Sequence, residues 1–422
     1  MVGESWLDDI ISELEDVETP RPWLWWSLIT AISAAAGNNY YLVAFGGKVI
    51  YKPNLYVMLL GSSGLGKGFG INLAKLLVQK ASCTRVIAGR SSIQAIVTEL
   101  SKTQSSADGK PIMTDSRGYI VNGELSAAII TDVSALAILT DLYDGQYNPE
   151  WDNLLKVTGK EKLKEPYITA LFGSSQAHFY DTIPQANIEG GYIGRNLISY
   201  QEKRYKDLDA LSEQEVPDDM PNSVKDYLIP KYVKHLIAIS QFKSRLVCSD
   251  SAKEVYNTWR RKWRSEQPEE KTGFYNRVPD HVLKVAMCLC LARYNSGGIV
   301  SEFDIQDAID RVTGLIYSNK LAGGHPGKSN DPVTTHTKTV LNLLIAATDN
   351  QLTRKALLNR GYPYGLADTS TLDKVIDTLI EMGWAERERL VAGKNSDWLI
   401  KLSGEPLTEY HNFLNKQANR KG

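Results

Sequence analysis

The run Gly61-Ser62-Ser63-Gly64-Leu65-Gly66-Lys67-Gly68-Phe69 stands between the apolar stretch Leu55-Tyr56-Val57-Met58-Leu59-Leu60 and the segment Ile71-Asn72-Leu73-Ala74-Lys75-Leu76-Leu77. A strand, a glycine-rich turn and a helix in that order aim several backbone N–H groups and the positive end of a helix at one point, which is what a triphosphate requires. The pattern predicts a phosphate-binding loop made by Gly61, Gly64, Leu65, Gly66, Lys67, Gly68 and Phe69, with the Lys67 ammonium reaching the β and γ phosphates of ATP. One position departs from it. The residue after Lys67 is Gly68, where a Ser or Thr hydroxyl ordinarily ligates Mg²⁺. Either water and an acidic residue complete the metal shell, or hydrolysis is weak.

Composition narrows the partners. A chain of 422 residues that is 43% hydrophobic is long enough for two or three domains and a large core. The apolar stretches at 23–36 and 285–292 are too short or too interrupted to span a bilayer, and no basic segment precedes an apolar one at the N-terminus. A cytoplasmic protein without membrane contact is expected. Cys83, Cys248, Cys288 and Cys290 lack C-x-x-C spacing and have no histidine at ligand spacing, which points to buried thiols rather than a zinc site or disulfides. A formal net charge of −1 gives no global attraction to nucleic acid, so DNA binding has to use local basic patches or a channel formed by several subunits.

Along the chain, residues 1–52 read as a helical N-terminal extension followed by a hairpin around Gly46-Gly47. In 53–202, helical patterns alternate with short apolar strands, which predicts a mostly parallel α/β sheet. The polar stretch 101–116 reads as a surface loop or hairpin tip. Residues 203–321 are helical in pattern and predict an all-α lid, and 322–333, rich in Gly and Pro, is the linker. Three short amphipathic helices and two strands in 334–403 describe a winged helix, and 404–422 is a tail. Its third helix exposes Asp373, Lys374, Asp377 and Glu381, a mixed face suited to DNA only in part and equally open to protein contact.

Hydrolysis needs an acidic residue at a neighbouring strand end to polarise water, and Gly118-Tyr119-Ile120-Val121-Asn122-Gly123-Glu124 offers Glu124; an aspartate before it is missing. The strand-like 167–175 ends in Ser174 and Ser175, either of which can sense a γ-phosphate. Arg195 follows the turn Gly190-Gly191-Tyr192, where it can enter a neighbouring subunit's site, a role worth roughly 10³ to 10⁵ in rate, or stand solvated or paired with a carboxylate. A lysine-rich hairpin carries Lys156, Lys160, Lys162 and Lys164; several such tips around a channel make a basic collar that grips phosphates without regard to sequence. A second basic run, Arg260-Arg261-Lys262-Trp263-Arg264, reads as an exposed helix face.

In order, phosphate loop, glutamate, basic hairpin, hydroxyl-ended strand and glycine-flanked arginine resemble the AAA+ ATPase core, in particular its helicase branch. Lys52-Pro53-Asn54-Leu55-Tyr56 and Gly190-Gly191-Tyr192 before Arg195 look like a family of phage and mobile-element proteins similar to the minichromosome maintenance replicative helicases. That resemblance implies an α/β P-loop NTPase core with an all-α lid and a C-terminal winged helix. It also implies that Arg277 and the residue seven further on, here Lys284, supply a second nucleotide sensor; lysine keeps the charge and loses the bidentate fork. The function implied is an ATP- and Mg²⁺-dependent DNA helicase or translocase acting as a homo-oligomeric ring, a hexamer, in phage or mobile-element replication. Two alternatives stay open: an ATP-switched loader, initiator or transposition regulator that hydrolyses slowly, and a degenerate nucleotide-binding structural or antiphage module.

Overall fold

The computed structural model describes residues 4–89, 92–102, 104–105, 111–113, 115–124, 133–145, 150–155, 159–176, 178–179, 191–208, 224–266, 273–316, 318, 332–345, 347–362, 366, 368–392 and 395–404. The chain divides into two compact units, Met1–Gly327 and Lys328–Gly422.

The first unit begins with α1 (Trp6–Glu13), α2 (Arg21–Ala36), the strands β1 (Tyr40–Ala44) and β2 (Val49–Tyr51), then β3 (Tyr56–Leu60) and α3 (Lys67–Ala81). It continues through β4 (Arg85–Ala88), α4 (Ile93–Ser101), β5 (Gln104–Ser105), β6 (Pro111–Met113), β7 (Arg117–Asn122), α5 (Val133–Tyr143), β8 (Glu150–Leu155), β9 (Gly159–Lys164), β10 (Tyr167–Ser174) and β11 (Asn196–Tyr200). It closes with α6 (Val224–Gln241), β12 (Ser244–Cys248), α7 (Asp250–Glu266), α8 (Phe274–Ala292), β13 (Ile299–Val300) and α9 (Glu302–Gly314).

Five strands form a wholly parallel sheet in the order β11-β3-β10-β7-β4. All five residues of β3 and all eight of β10 are buried, as a strand covered on both faces requires. Successive side chains point to opposite faces, and the two apolar clusters follow that alternation. Val57, Leu59, Val121, Leu171 and Leu197 pack with α2, α3, α6 and α8, while Tyr56, Met58, Ile120, Ala170 and Ile198 pack with α4 and α5. The result is a mixed α/β unit with helices on both sides of a parallel sheet.

Residues 1–52 hold two helices and an antiparallel hairpin, and α2 is buried from Trp23 to Ala36, on every side of the helix, in the cluster that also holds α3 and α8. A helix apolar all round has to be enclosed. One expectation changes here: residues 203–321 are not all helix. β12 pairs in parallel with β1, β13 with β12, and β1 runs antiparallel to β2, giving a second sheet in the order β13-β12-β1-β2. These strands are five and two residues long, too short for a period of two to register against the surrounding helical patterns.

In the second unit, α10 (Pro332–Ile345), β14 (Gln351–Thr353), α11 (Arg354–Gly361), α12 (Thr369–Glu381), β15 (Ala385–Ala392) and β16 (Asn395–Leu402) enclose a core of Val340, Leu344, Leu357, Leu372, Val375, Leu379 and Ile400. The sheet is antiparallel, in the order β14-β16-β15, and β14 is a strand beyond the two the sequence suggests. The 404–422 tail lies outside the described residues from 405 onward. No helix among the described residues is long and apolar enough to cross a membrane.

Candidate functional site

After β3 the chain runs to the far edge of the sheet, returns through β10, and then adds β11 on the other side of β3. The turn that follows β3 therefore lies at a topological switch point, where ligands of parallel sheets bind at the carboxyl ends of the strands. Gly64 and Gly66 adopt φ of +85° and +90°, values that a side chain would strain. Gly66 caps α3 without a side-chain hydrogen bond, so the first N–H groups of α3 are left to an anion. Lys67 is the first residue of α3, and its Nζ donates to the carbonyls of Gly61 (2.7 Å) and Ser62 (2.8 Å). Burial pulls the Lys67 ammonium below its ordinary range, and the Glu124 carboxylate partly offsets that pull.

The sequence did not mark what holds this turn in place. The Thr19 hydroxyl donates to the Gly66 carbonyl (3.2 Å), and a Cβ on Gly66 would meet that same oxygen at 2.7 Å. The Trp23 ring stands 5.3 Å from the Lys67 ammonium and 2.8 Å from where Gly61 would carry a Cβ, while its indole N–H donates to the Ser199 carbonyl (3.0 Å). Ser27 fills the corresponding space at Gly70. The available signal was the hydroxyls Ser27, Thr30 and Ser33 in an otherwise apolar helix. Thr30 and Ser33 reach Tyr119 and Thr169, both at 2.7 Å.

Glu124 is exposed just beyond β7, and its backbone N–H donates to the Asn122 side chain (3.2 Å), which in turn donates to the Gly89 carbonyl (3.2 Å). Gly173 allows the end of β7 to come close, since a Cβ there would stand 2.5 Å from the Gly123 carbonyl. Ser174 is buried at the end of β10, pairs in register with Leu60, and accepts the Gly61 N–H (3.3 Å) on its carbonyl. Its hydroxyl donates to the Ser175 carbonyl (3.1 Å). Lys67, Glu124 and Ser174 thus gather at one edge of the sheet. Gly68 is exposed, and no atom lies within 4 Å of the place its Cβ would take.

A cavity of about 720 Å³ opens beside this edge, lined by Arg21, Trp25, Tyr200, Gln201 and Arg311 among others. It adjoins the turn because the Gln201 carbonyl abuts Gly61, and Arg204 donates to the Gly64 carbonyl (3.3 Å). Arg311 lies 3.9 Å over the Trp25 ring.

Arg195, Arg277 and Lys284 are elsewhere. Arg195 precedes β11, which is parallel to β3, so it stands at the amino edge of the sheet, about 17 Å from the carboxyl edge for a five-residue strand. It is buried, ion-paired to Asp144 and hydrogen-bonded to the Gly191 carbonyl (2.9 Å). Arg277 lies against the same glycine. Lys284 is fully buried, donates to the Asn54 side chain (2.7 Å) and rests 3.9 Å from the Tyr143 ring. Asn54 precedes β3, which fixes Lys284 at the amino edge and removes it from any contact with a phosphate at the turn of its own chain. Burial lowers the Lys284 ammonium to about 7.

On β9, Lys162 and Lys164 flank Leu163 and so share one face of the strand, while the side chain of Lys160 lies outside the described residues. Lys162 and Lys164 are exposed. Asp152 stands opposite Lys162 and Glu150 opposite Lys164, and Lys156 lies outside the described residues. On α12, Asp373 is held by Arg354 (2.5 and 2.7 Å) and Asp377 by Arg387 (2.9 Å), which ties two of the three acidic side chains of that face to their own unit. No protein-family model matches this chain, and no curated protein matches it.

His281 gives the amino edge a measurable signature. Its Nε2 faces the Gly194 carbonyl (2.9 Å) and must be the donor, so Nδ1 accepts from the Tyr143 hydroxyl (3.3 Å) and the ring is satisfied only when neutral. Burial lowers it to about 3 from an ordinary 6.5. Below pH 6.5 the unfolded chain takes up a proton that the folded chain refuses, so this contribution to stability is complete above 6.5 and is lost toward 3. Between pH 5.5 and 4.5, where Lys284 is protonated in both states, His281→Gln is expected to flatten the fall in urea-unfolding stability by about 1.3 kcal/mol per pH unit. An unchanged slope would show that His281 is protonated in the fold.

Proposed function

We propose that this chain is a P-loop ATPase with an AAA+ core and a C-terminal winged helix that moves along DNA as a homo-oligomeric ring. One observation carries the reading: the glycine-rich turn at the carboxyl edge of the parallel sheet joins the uncapped start of α3, the half-buried Lys67 and the nearby charge of Glu124. The strand order and the helix–strand order of the second unit agree with it.

ATP would lie with its phosphates against Gly64, Gly66 and the first turn of α3, and its nucleoside toward the cavity beside Gln201. Lys67 leaves the Gly61 and Ser62 carbonyls for the β and γ phosphates. A water oxygen bonds to the γ-phosphorus as the bond to the bridging oxygen breaks, and Glu124 orients that water and accepts its proton. The Ser174 hydroxyl, turning from Ser175, senses the γ-phosphate. Magnesium, when bound, would supply charge neutralisation, and position 68 would offer it no hydroxyl. Arg195, at the opposite edge, serves the site of a second copy. Lys160, Lys162 and Lys164 grip the DNA backbone.

ATP turnover is expected to rise with single-stranded DNA at low salt and to fall at least a hundredfold in both Lys67→Ala and Glu124→Gln. Turnover that persists in both variants would place the chemistry elsewhere. Mixing Arg195→Ala with Lys67→Ala protein is expected to restore part of the turnover, because one interface then joins an intact turn to an intact arginine; with no restoration, action across copies is excluded.

Gly68 favours a second reading, an ATP-dependent assembly switch with slow hydrolysis. The open space around it accepts a hydroxymethyl group without displacing a neighbour. Gly68→Ser is therefore expected to fold normally and to raise turnover about tenfold if metal ligation limits the rate, whereas unchanged turnover would mean that water completes the shell adequately.

A further inference from the structure

The turn between β1 and β2 contains an anomaly. Phe45 adopts φ +50° ahead of Gly46 at +64° and Gly47 at +92°, and its ring is 45% exposed. Two successive left-handed residues in a hairpin turn call for Asn-Gly or Gly-Gly, because a Cβ crowds the backbone there. A phenylalanine neither relieves that strain nor buries its ring. Arg260 of α7 lies 4.9 Å over the Phe45 ring. Along α7, Lys253, Arg260 and Arg264 recur at i, i+7 and i+11, which puts them on one flank with Arg261 beside them. Arg261 and Arg264 are exposed, and no ion pair holds Arg260, Arg261 or Arg264 among the described residues.

We infer that Phe45 and the arginine flank of α7 form a binding surface for single-stranded nucleic acid, with a base stacked on Phe45 and the backbone phosphates on Arg260, Arg261 and Arg264. An exposed ring beside unpaired guanidiniums matches a strand whose bases have free faces; in a duplex those faces are covered by their neighbours. An anionic membrane is a poorer match, because the apolar side of α7, Ala252 and Tyr256 with Trp259 and Trp263, packs into the core and is not free to insert. The surface is independent of the phosphate site and of the lysine hairpin.

The test is a fluorescence-anisotropy titration without nucleotide. The probes are a labelled 30-nucleotide oligothymidine and an abasic strand of equal length, and the background is Lys162→Ala with Lys164→Ala, so that a failure of the hairpin assignment leaves this result readable. Phe45→Asn is expected to weaken the oligothymidine about tenfold and the abasic strand by less than twofold. Arg260→Glu with Arg264→Glu is expected to weaken both strands. Because asparagine suits the left-handed position, Phe45→Asn should keep or raise the thermal midpoint. The inference is overturned if Phe45→Asn binds oligothymidine as the parent does, if it weakens both strands equally, if it lowers the midpoint, or if poly-glutamate competes as well as the strand.

Discussion

Thr19, Trp23 and Ser27, at four-residue intervals, fill the spaces that Gly66, Gly61 and Gly70 leave by having no side chain. This contact fixes the glycine-rich turn from behind, and the first unit is arranged to preserve it. The Trp23 indole N–H anchors α2 to β11, and the Thr30 and Ser33 hydroxyls anchor it to β7 and β10. A helix tied to three strands along one side and apolar on all others must be covered, which is why α3, α6 and α8 close over it. The turn's shape thus follows from the enclosure of α2 as much as from its own glycines. Any of the three glycines exchanged for alanine would bring a Cβ to within 3 Å of α2 or the segment before it.

The sheet has two chemically distinct edges. At the carboxyl edge Glu124 and Gly68 are exposed and Lys67 is half-buried, with Ser174 buried behind them. At the amino edge the polar groups are enclosed, with His281 and Lys284 both 1% exposed and both pushed by burial toward their neutral forms. An enclosed neutral histidine and a lysine satisfied by an amide and a ring face are rigid packing elements that hold α8 against the start of β3 and the end of α5. What rises from that packing toward the surface is the pair Arg195 and Arg277. One chain therefore carries both halves of the proposed chemistry on opposite edges, where they cannot meet, and joining them would take a head-to-tail contact between copies, which closes into a ring or extends as a filament.

Much of this was legible in the sequence, where a local pattern and a packing requirement coincide. The β3-turn-α3 segment is readable because the run of apolar residues, the glycines and the following helical period all agree. The helices of the second unit and its hairpin are readable for the same reason, whereas β14, three residues long, is not. The sequence misled wherever a distant partner decides. β12 becomes a strand because β1, some two hundred residues earlier, offers it an edge, and Lys284 lies away from the glycine-rich turn because Asn54 and Tyr143 hold it at the other end of β3. Spacing along α8 gives the interval between Arg277 and Lys284 but not the depth of either, and depth separates a partly buried cation from a fully buried one.

The pairing of Arg195 with Asp144 sets a condition on the proposed chemistry. A guanidinium buried to this extent is costly to leave without its carboxylate, so Arg195 does not wander free in a single chain. It can act on a neighbour's nucleotide only by exchanging one anion for another at the same place. The Asp144 side chain is 37% exposed against 10% for Arg195, so the carboxylate is the partner that can turn into water while the arginine stays put. The exchange would favour a phosphate, which offers more charge and a separate oxygen for each of the two N–H groups that now share the Asp144 Oδ2, once a second copy excluded water from the contact. Arg277, against the same glycine, adds positive potential that the carboxylates of Asp144 and Asp280 offset. The charges of the amino edge are thus balanced within one chain, and on the proposed reading assembly, rather than nucleotide binding alone, would be the event that completes the site.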